Sequence, residues 1–222
     1  MTIKALIFDL DGVITDTAEY HYLSWKRLAE EEGIAFTRED NDQLRGVSRR
    51  ESLNRMLKGR PIDEATAQDW MTRKNRYYLE LLQQLTPDDC LLGVLEFLGS
   101  AQEMGLKLGL GSASRNAHTV LERLQLTERF DVVGDGHSVV NTKPAPDLFT
   151  WVAGGLGARV VETVIFEDAE AGIEAALNGG FWTVGIGSAA VSDAHLVLPN
   201  GLDGVTVAEV LDRLQRESQQ PF

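Results

Sequence analysis

Short apolar runs of three to five residues recur along the chain: Ala5–Phe8, Leu106–Leu110, Val164–Phe166, Thr183–Ile186 and Leu196–Leu198, each bounded by Gly, Ser or Asp. They are continuous rather than alternating, which suits strands of a parallel sheet covered on both faces. Between them, Val94–Met104, Ala117–Leu124, Asp147–Leu156 and Ala171–Asn178 carry apolar positions at helical spacing, and several are closed by glycine. Alternation of strand and helix predicts an α/β fold, a Rossmann-like doubly wound parallel sheet with helices on both faces.

From about Thr17 to Thr86 the rhythm changes. Every segment with a clear period there is helical, and no β-type run occurs. This predicts an α/β core formed by residues 1–16 and 87–222, with a helical cap domain, residues 17–86, inserted into it. Thr37-Arg38-Glu39-Asp40 and Ser48-Arg49-Arg50-Glu51 resemble capping boxes, and Thr206-Val207-Ala208-Glu209 opens a terminal helix. The longest helix of the insertion, roughly Glu64 to Leu85, ends near Thr86-Pro87-Asp88, where proline marks the return linker.

The chain is long enough, at 222 residues and 43% hydrophobic, to bury a sizeable core. Its net charge of −13 repels nucleic acid and anionic membranes, so neither is expected as a partner. An anionic ligand would need local cations or a metal to overcome that background. Cys90 is the one cysteine; its neighbours Asp88, Asp89, Leu91 and Leu92 include no cation to activate a thiolate. With no cleavage-site pattern and no run of about 18 apolar residues, a soluble cytoplasmic protein is expected. No apolar stripe exceeds what the core needs, so a monomer is expected too.

Chemistry gathers at the ends of the apolar runs. The first ends in "FDLDG", where strand pleating would place Asp9 and Asp11 on one face, about 6–7 Å apart. Ligands of open α/β sheets bind outside such carboxyl ends. Glu167-Asp168 ends a second run, and several carboxylates brought together oppose joint ionisation unless a hard divalent cation compensates. Ser112 in "GLGSASRN" and Lys143 in "NTKPAPD" add a hydroxyl and an ammonium suited to phosphoryl oxygens. A lone Asp-x-Asp is commonly a turn or cap. Here the elements occur together, and the set reads as phosphoryl transfer to a carboxylate.

These motifs, Asp9-Leu10-Asp11-Gly12, Ser112, Lys143-Pro144 and Glu167-Asp168, resemble those of the haloacid dehalogenase superfamily, and the resemblance spans essentially the whole chain. More narrowly, "FDLDGVITDTAEYH", "GVSRRESL", "RKN", "SASRN", "KPAPD" and "EDAEAGI" look like the β-phosphoglucomutase family. The resemblance implies Asp9 as nucleophile, Asp11 as general acid/base, and Lys143 and Ser112 on the phosphoryl oxygens. It also implies one Mg²⁺ on Asp9, the Asp11 carbonyl, Glu167 and Asp168, and a cis Lys143-Pro144 bond. The implied reaction interconverts β-D-glucose 1-phosphate and D-glucose 6-phosphate, with β-glucose 1,6-bisphosphate as priming intermediate. The alternative is a Mg²⁺-dependent phosphatase acting on a small sugar phosphate.

What separates the two is the helical insertion. His21 and Trp25 are four residues apart and share a helix face with Leu28, which by residue type alone is as well a packing face. Arg49 follows a capped helix start, either a solvated charge or an anion ligand, and a mid-helix lysine such as Lys74 is commonly at the surface. The resemblance implies instead that Thr17, at the hinge, and His21, Trp25 and Lys74 contact substrate from the insertion. Gly46, Val47, Ser48, Arg49 and Ser52 are implied with them, facing Ala113, Ser114 and Asn116 from the core. Arg49, Ser114 and Asn116 would form a distal phosphate site. Arg115 departs from the pattern, which carries lysine there.

Overall fold

A computed structural model describes residues 2–187 and 189–218. Among the described residues six parallel strands form one sheet: β1 (Ala5–Phe8), β2 (Lys107–Gly111), β3 (Val132–Gly134), β4 (Thr163–Glu167), β5 (Trp182–Ile186) and β6 (Leu196–Leu198). Their order is β3-β2-β1-β4-β5-β6, and every neighbouring pair is parallel. The order reverses between β1 and β4, so a crevice opens beyond their carboxyl ends. The five strands expected from apolar runs are present; β3 is additional. Its three residues, Val132-Val133-Gly134, are too short a run to stand out from the flanking turns.

Successive residues of β1 point to opposite faces of the sheet. Leu6 and Phe8 enter a large core with Phe97, Val120 and Val210, from α5 (Val94–Glu103), α6 (Ala117–Leu124) and α9 (Val207–Glu217). Ile7 enters a second core with Phe149, Val152 and Ala175, from α7 (Asp147–Gly155) and α8 (Glu170–Asn178). Helices thus cover both faces, which is why the strand sequences are apolar throughout. Stacking of Phe8 on Phe166, with ring centroids 4.6 Å apart, ties β1 to β4 beside the crevice.

Between β1 and α5 the chain forms α1 (Ala18–Glu31), α2 (Arg38–Asp42), α3 (Arg49–Leu57) and α4 (Glu64–Leu82). They enclose a separate core of Trp25, Leu28, Leu53, Met56 and Trp70. At α2, Thr37 and Asp40 make the reciprocal capping box. At α3 only half of it forms: Ser48 accepts from Glu51 N–H, while the Glu51 carboxylate turns to Arg55. The same half-box starts α9. α4 is the longest helix, about 28 Å at 1.5 Å per residue. Its Trp70 and Tyr77 belong to the helical unit's core, whereas Tyr78 and Leu82 belong to the sheet's, so one rigid helix enters both.

The two chain passages joining the units run side by side. Thr15 Oγ1 donates to the Asp89 carbonyl at 2.7 Å, and Leu91 N–H donates to the Ile14 carbonyl at 2.9 Å. The β1 ladder continues one bond past the strand, from Asp9 N–H to the Phe166 carbonyl, and the chain then turns at Gly12 with φ +81°. Asp11 therefore lies in a turn, bridged to Thr15, and not on the continuing pleat expected from the sequence.

Two glycines in helices test how tightly the site is built. A Cβ at Gly172 in α8 would lie 2.1 Å from Glu167 Oε2, whereas a Cβ at Gly99 in α5 meets nothing within 4 Å. Gly99→Ala should therefore stabilise by about 0.5–1 kcal/mol through helix propensity. Gly172→Ala should reverse the sign and cost about 1–3 kcal/mol. Urea unfolding of both variants checks this; equal stabilisation would show that Glu167 is free to move.

Candidate active site between the sheet and the helical unit

The strand register brings the polar groups level. Phe8 pairs with Leu110 on one side and Phe166 on the other, so Asp9, Ser112 and Glu167-Asp168 emerge together at the crevice. Asp9, Glu167 and Asp168 each offer a carboxylate oxygen within 4.8 Å of the others. Lys143 lies beneath them with no side-chain exposure, donating to Asp9 Oδ1 at 2.5 Å and to Glu167 Oε2 at 2.7 Å. The Lys143-Pro144 bond is cis.

Three acids around one ammonium remain under-compensated. Burial, reinforced by Asp9, pushes Glu167 up to about 8 and Asp168 up to about 7. Burial alone would push Lys143 down, but Asp9 and Glu167 together raise it. Such a buried, oxygen-only donor set matches a hard divalent cation. The Asp11 carboxylate stands outside this set. It accepts a hydrogen bond from the Thr17 hydroxyl, and the Tyr78 hydroxyl lies 2.9 Å from Thr17 Oγ1. Burial pushes Asp11 up to about 6, against the Thr17 bond that lowers it.

A cavity lies above the acids. Asp9, Asp11, Ser112, Ala113, Ser114, Asn116 and Asp168 line it from the sheet side, and His21, Trp25, Gly46, Val47, Arg49, Ser52 and Lys74 from the helical unit. Four of the residues expected there from sequence are not in its wall. Thr17 is fully buried behind Asp11, Ser48 is engaged as the α3 cap, and Lys143 and Glu167 lie beneath the floor.

Cations collect in the upper part of this cavity. Lys74 is 2% exposed, with Nζ 2.9 Å from His21 Nδ1 and above the rings of Trp25 and Tyr78. The other ring nitrogen of His21, Nε2, lies 3.9 Å from Asp11 Oδ2. Burial, with Lys74 and Arg49 nearby, holds His21 well below its usual range. Burial and Arg49 likewise hold Lys74 well below the usual lysine range. Arg49 is pushed down to about 10, by burial and then by Arg115. Among the described residues none of Arg49, Lys74 and Arg115 has a carboxylate within ion-pair distance. Cations left together without acids form an anion site.

Some wall residues had no role expected from sequence, although Asp16 and Ala18 fall within "FDLDGVITDTAEYH". Asn41 and Leu44 line the cavity from the region of α2, and Asp16 and Ala18 from the start of α1, where Asp16 accepts from Ala18 N–H. Arg45 reaches across to Asp168 at 3.0 Å; it directly precedes the "GVSRRESL" segment, the one cue available. Asn75 stands behind the wall, bonded to Arg49 and Asn116.

The haloacid dehalogenase-like hydrolase family model matches residues 6–186. A Bacillus subtilis β-phosphoglucomutase is 44% identical over 188 residues, 83% of each chain. A phosphorylated carbohydrates phosphatase of Thermotoga maritima is 33% identical, over 80% of this chain and 82% of that one. The crystal structure of a β-phosphoglucomutase from Clostridium difficile superposes with a TM-score of 0.94 at 35% identity, covering 99% of this chain and 100% of that one. The chain belongs to the haloacid dehalogenase-like hydrolase family.

Lys143→Ala would leave the buried acids facing one another, at a cost of about 3–5 kcal/mol. Urea unfolding at pH 8.5 should show this loss, and millimolar Mg²⁺ should restore more stability to the variant than it adds to the parent. A variant as stable as the parent without cation would mean that the acids are not ionised together.

Proposed function

We propose that this protein is a Mg²⁺-dependent β-phosphoglucomutase, interconverting β-D-glucose 1-phosphate and D-glucose 6-phosphate through β-glucose 1,6-bisphosphate. One observation carries the reading: a single cavity has phosphoryl-transfer acids at its floor and unpaired cations, Arg49, Lys74 and Arg115, in its wall. A phosphatase needs only the floor. A bisphosphorylated sugar needs both ends.

The helical unit serves as the cap domain. Asp9 attacks phosphorus, the bond to the sugar oxygen breaks, and the leaving oxygen takes the proton carried by Asp11. An incoming β-glucose 1-phosphate, held at its phosphate by Arg49, Ser114 and Asn116, presents its 6-hydroxyl to the aspartyl-phosphate. Asp11 takes that proton as the hydroxyl attacks and frees Asp9, and the bisphosphate so formed is bound again with its ends exchanged, so that the next attack by Asp9, on the phosphorus at C1, releases glucose 6-phosphate. Lys143 and Ser112 stabilise the phosphoryl oxygens. Asp9, Glu167 and Asp168, with the Asp11 carbonyl, would hold Mg²⁺, which supplies positive charge where two anions meet. Thr17 orients Asp11, and His21 and Lys74 face the sugar. Trp25, Gly46, Val47, Ser52 and Ala113 complete a wall that excludes water, the competing nucleophile.

Hydrolysis of a small sugar phosphate is the second reading, favoured by the likeness to the Thermotoga phosphatase. One assay separates them: β-glucose 1-phosphate with trace bisphosphate should give glucose 6-phosphate, and stoichiometric free phosphate without isomerisation would sink the mutase. Arg49→Ala should lower mutase turnover per KM by about 10- to 100-fold, the worth of a charged hydrogen bond. Phosphate release from acetyl phosphate, which has no distal group, should fall by less than about threefold. Equal losses would exclude Arg49 from the distal site.

A further inference from the structure

We propose that Asn75 is the positioning residue of the distal anion site, its one side-chain carbonyl oxygen fixing a donor from each unit; this rests on the mutase reading above. Asn75 Oδ1 accepts from Arg49 Nη2 at 2.8 Å and from Asn116 Nδ2 at 2.9 Å. Arg49 begins α3 of the helical unit, and Asn116 precedes α6 on the sheet. Asn75 lies on α4 just before the point where that helix passes from one core, at Tyr77, into the other, at Tyr78. A single acceptor on the helix that enters both cores therefore sets the relative position of two anion-binding groups.

Its chemistry is as telling as its place. Arg49 is repelled by Arg115 and lies close enough to Lys74 to disfavour that charge too. Left to itself, such a guanidinium would turn away to solvent. An amide carbonyl holds it by a directional hydrogen bond without cancelling its charge. Arg73, two positions earlier on the same helix, shows the contrast: it is paired with Glu31, Glu32 and Asp69, and a guanidinium so neutralised has little left for a ligand. The neutrality of Asn75 keeps Arg49 oriented and still available to phosphate.

Asn75→Ala and Asn75→Asp separate orientation from charge. The first removes the acceptor; the second keeps acceptor oxygens in place but adds a negative charge beside the site. Calorimetric binding of glucose 1,6-bisphosphate should weaken about tenfold for Asn75→Ala, the loss of about one net hydrogen bond to a charged group. It should weaken further, to about 30-fold or more, for Asn75→Asp. KM for β-glucose 1-phosphate should rise in the same order, with kcat at saturation changing less than about threefold. Asn75→Asp binding as tightly as the parent would overturn the neutrality argument, and Asn75→Ala doing so would overturn the positioning role. Loss of kcat with KM unchanged would also overturn it. Should Asn75→Ala fail to fold, Asn75→Ser, which shortens the reach while staying polar, takes its place with the same tenfold expectation. Arg49→Ala is measured alongside. If it too leaves bisphosphate affinity intact, the distal site itself is misassigned; if it weakens binding while the Asn75 variants do not, only the role of Asn75 fails.

Discussion

An ammonium with no solvent exposure is held between Asp9 and Glu167, at the point where the strand order of the sheet reverses. Removing one lysine and two acids from water is unfavourable, and their mutual attraction offsets it only if the geometry is firmly held. The surroundings supply that firmness. Phe149 lies against the Lys143 ammonium at 4.8 Å, and Glu167 Oε1 accepts from Ala169 N–H at 3.1 Å. Gly172 and Gly12 leave room for the carboxylates of Glu167 and Asp168, respectively, where any Cβ would overlap them. The parallel register, the close helix α8 and the turn at Gly12 are all conditions for one buried charge cluster.

That cluster is negative on balance, within a chain of net charge −13. An anionic substrate approaching it meets repulsion at long range and has to be attracted locally. The cations that do this come mostly from the helical unit: Arg49 and Lys74 from α3 and α4, with Arg115 from the sheet side. Burial and mutual repulsion make Lys74 and Arg49 poorer cations than free side chains, while an incoming phosphate would reverse that trend. Arg45 does a related thing at the floor, where its guanidinium meets Asp168. The helical unit thus contributes charge that neither end of the cavity supplies for itself.

How much of this could be read in the chain depends on the range of the interaction. Apolar runs such as Ala5–Phe8 and Leu196–Leu198 correspond to strands residue for residue, since burial on both faces leaves a local signature. The three-residue β3 is held in the sheet by β2, and its own sequence is too short to show it. The acids at the strand ends were legible because the topology rule places ligands there. The reason for the Asp9 and Asp11 juxtaposition was not: β1 stops at Phe8, and a turn closed by Thr15, rather than the pleat, places Asp11. Asn41 on α2 and Arg45 in the turn after it are ordinary polar residues until they are set against the sheet, and Asn75, though within "RKN", meets Arg49 and Asn116 only through the same docking. No local pattern encodes that docking.

The same long-range docking explains why the site is divided between two units. Each alone is incomplete, the sheet having acids and a buried lysine, the helical unit cations and aromatic walls. The passages joining them are zipped together through Thr15 and Leu91, close to Asp11 and Thr17. Parting the two units would take Lys74 away from Asp11 and Arg45 from Asp168, separating charges that are favourable only when close. Docking of the two units and assembly of the charge pattern go together, and an anion that bridges both ends stabilises the docked arrangement.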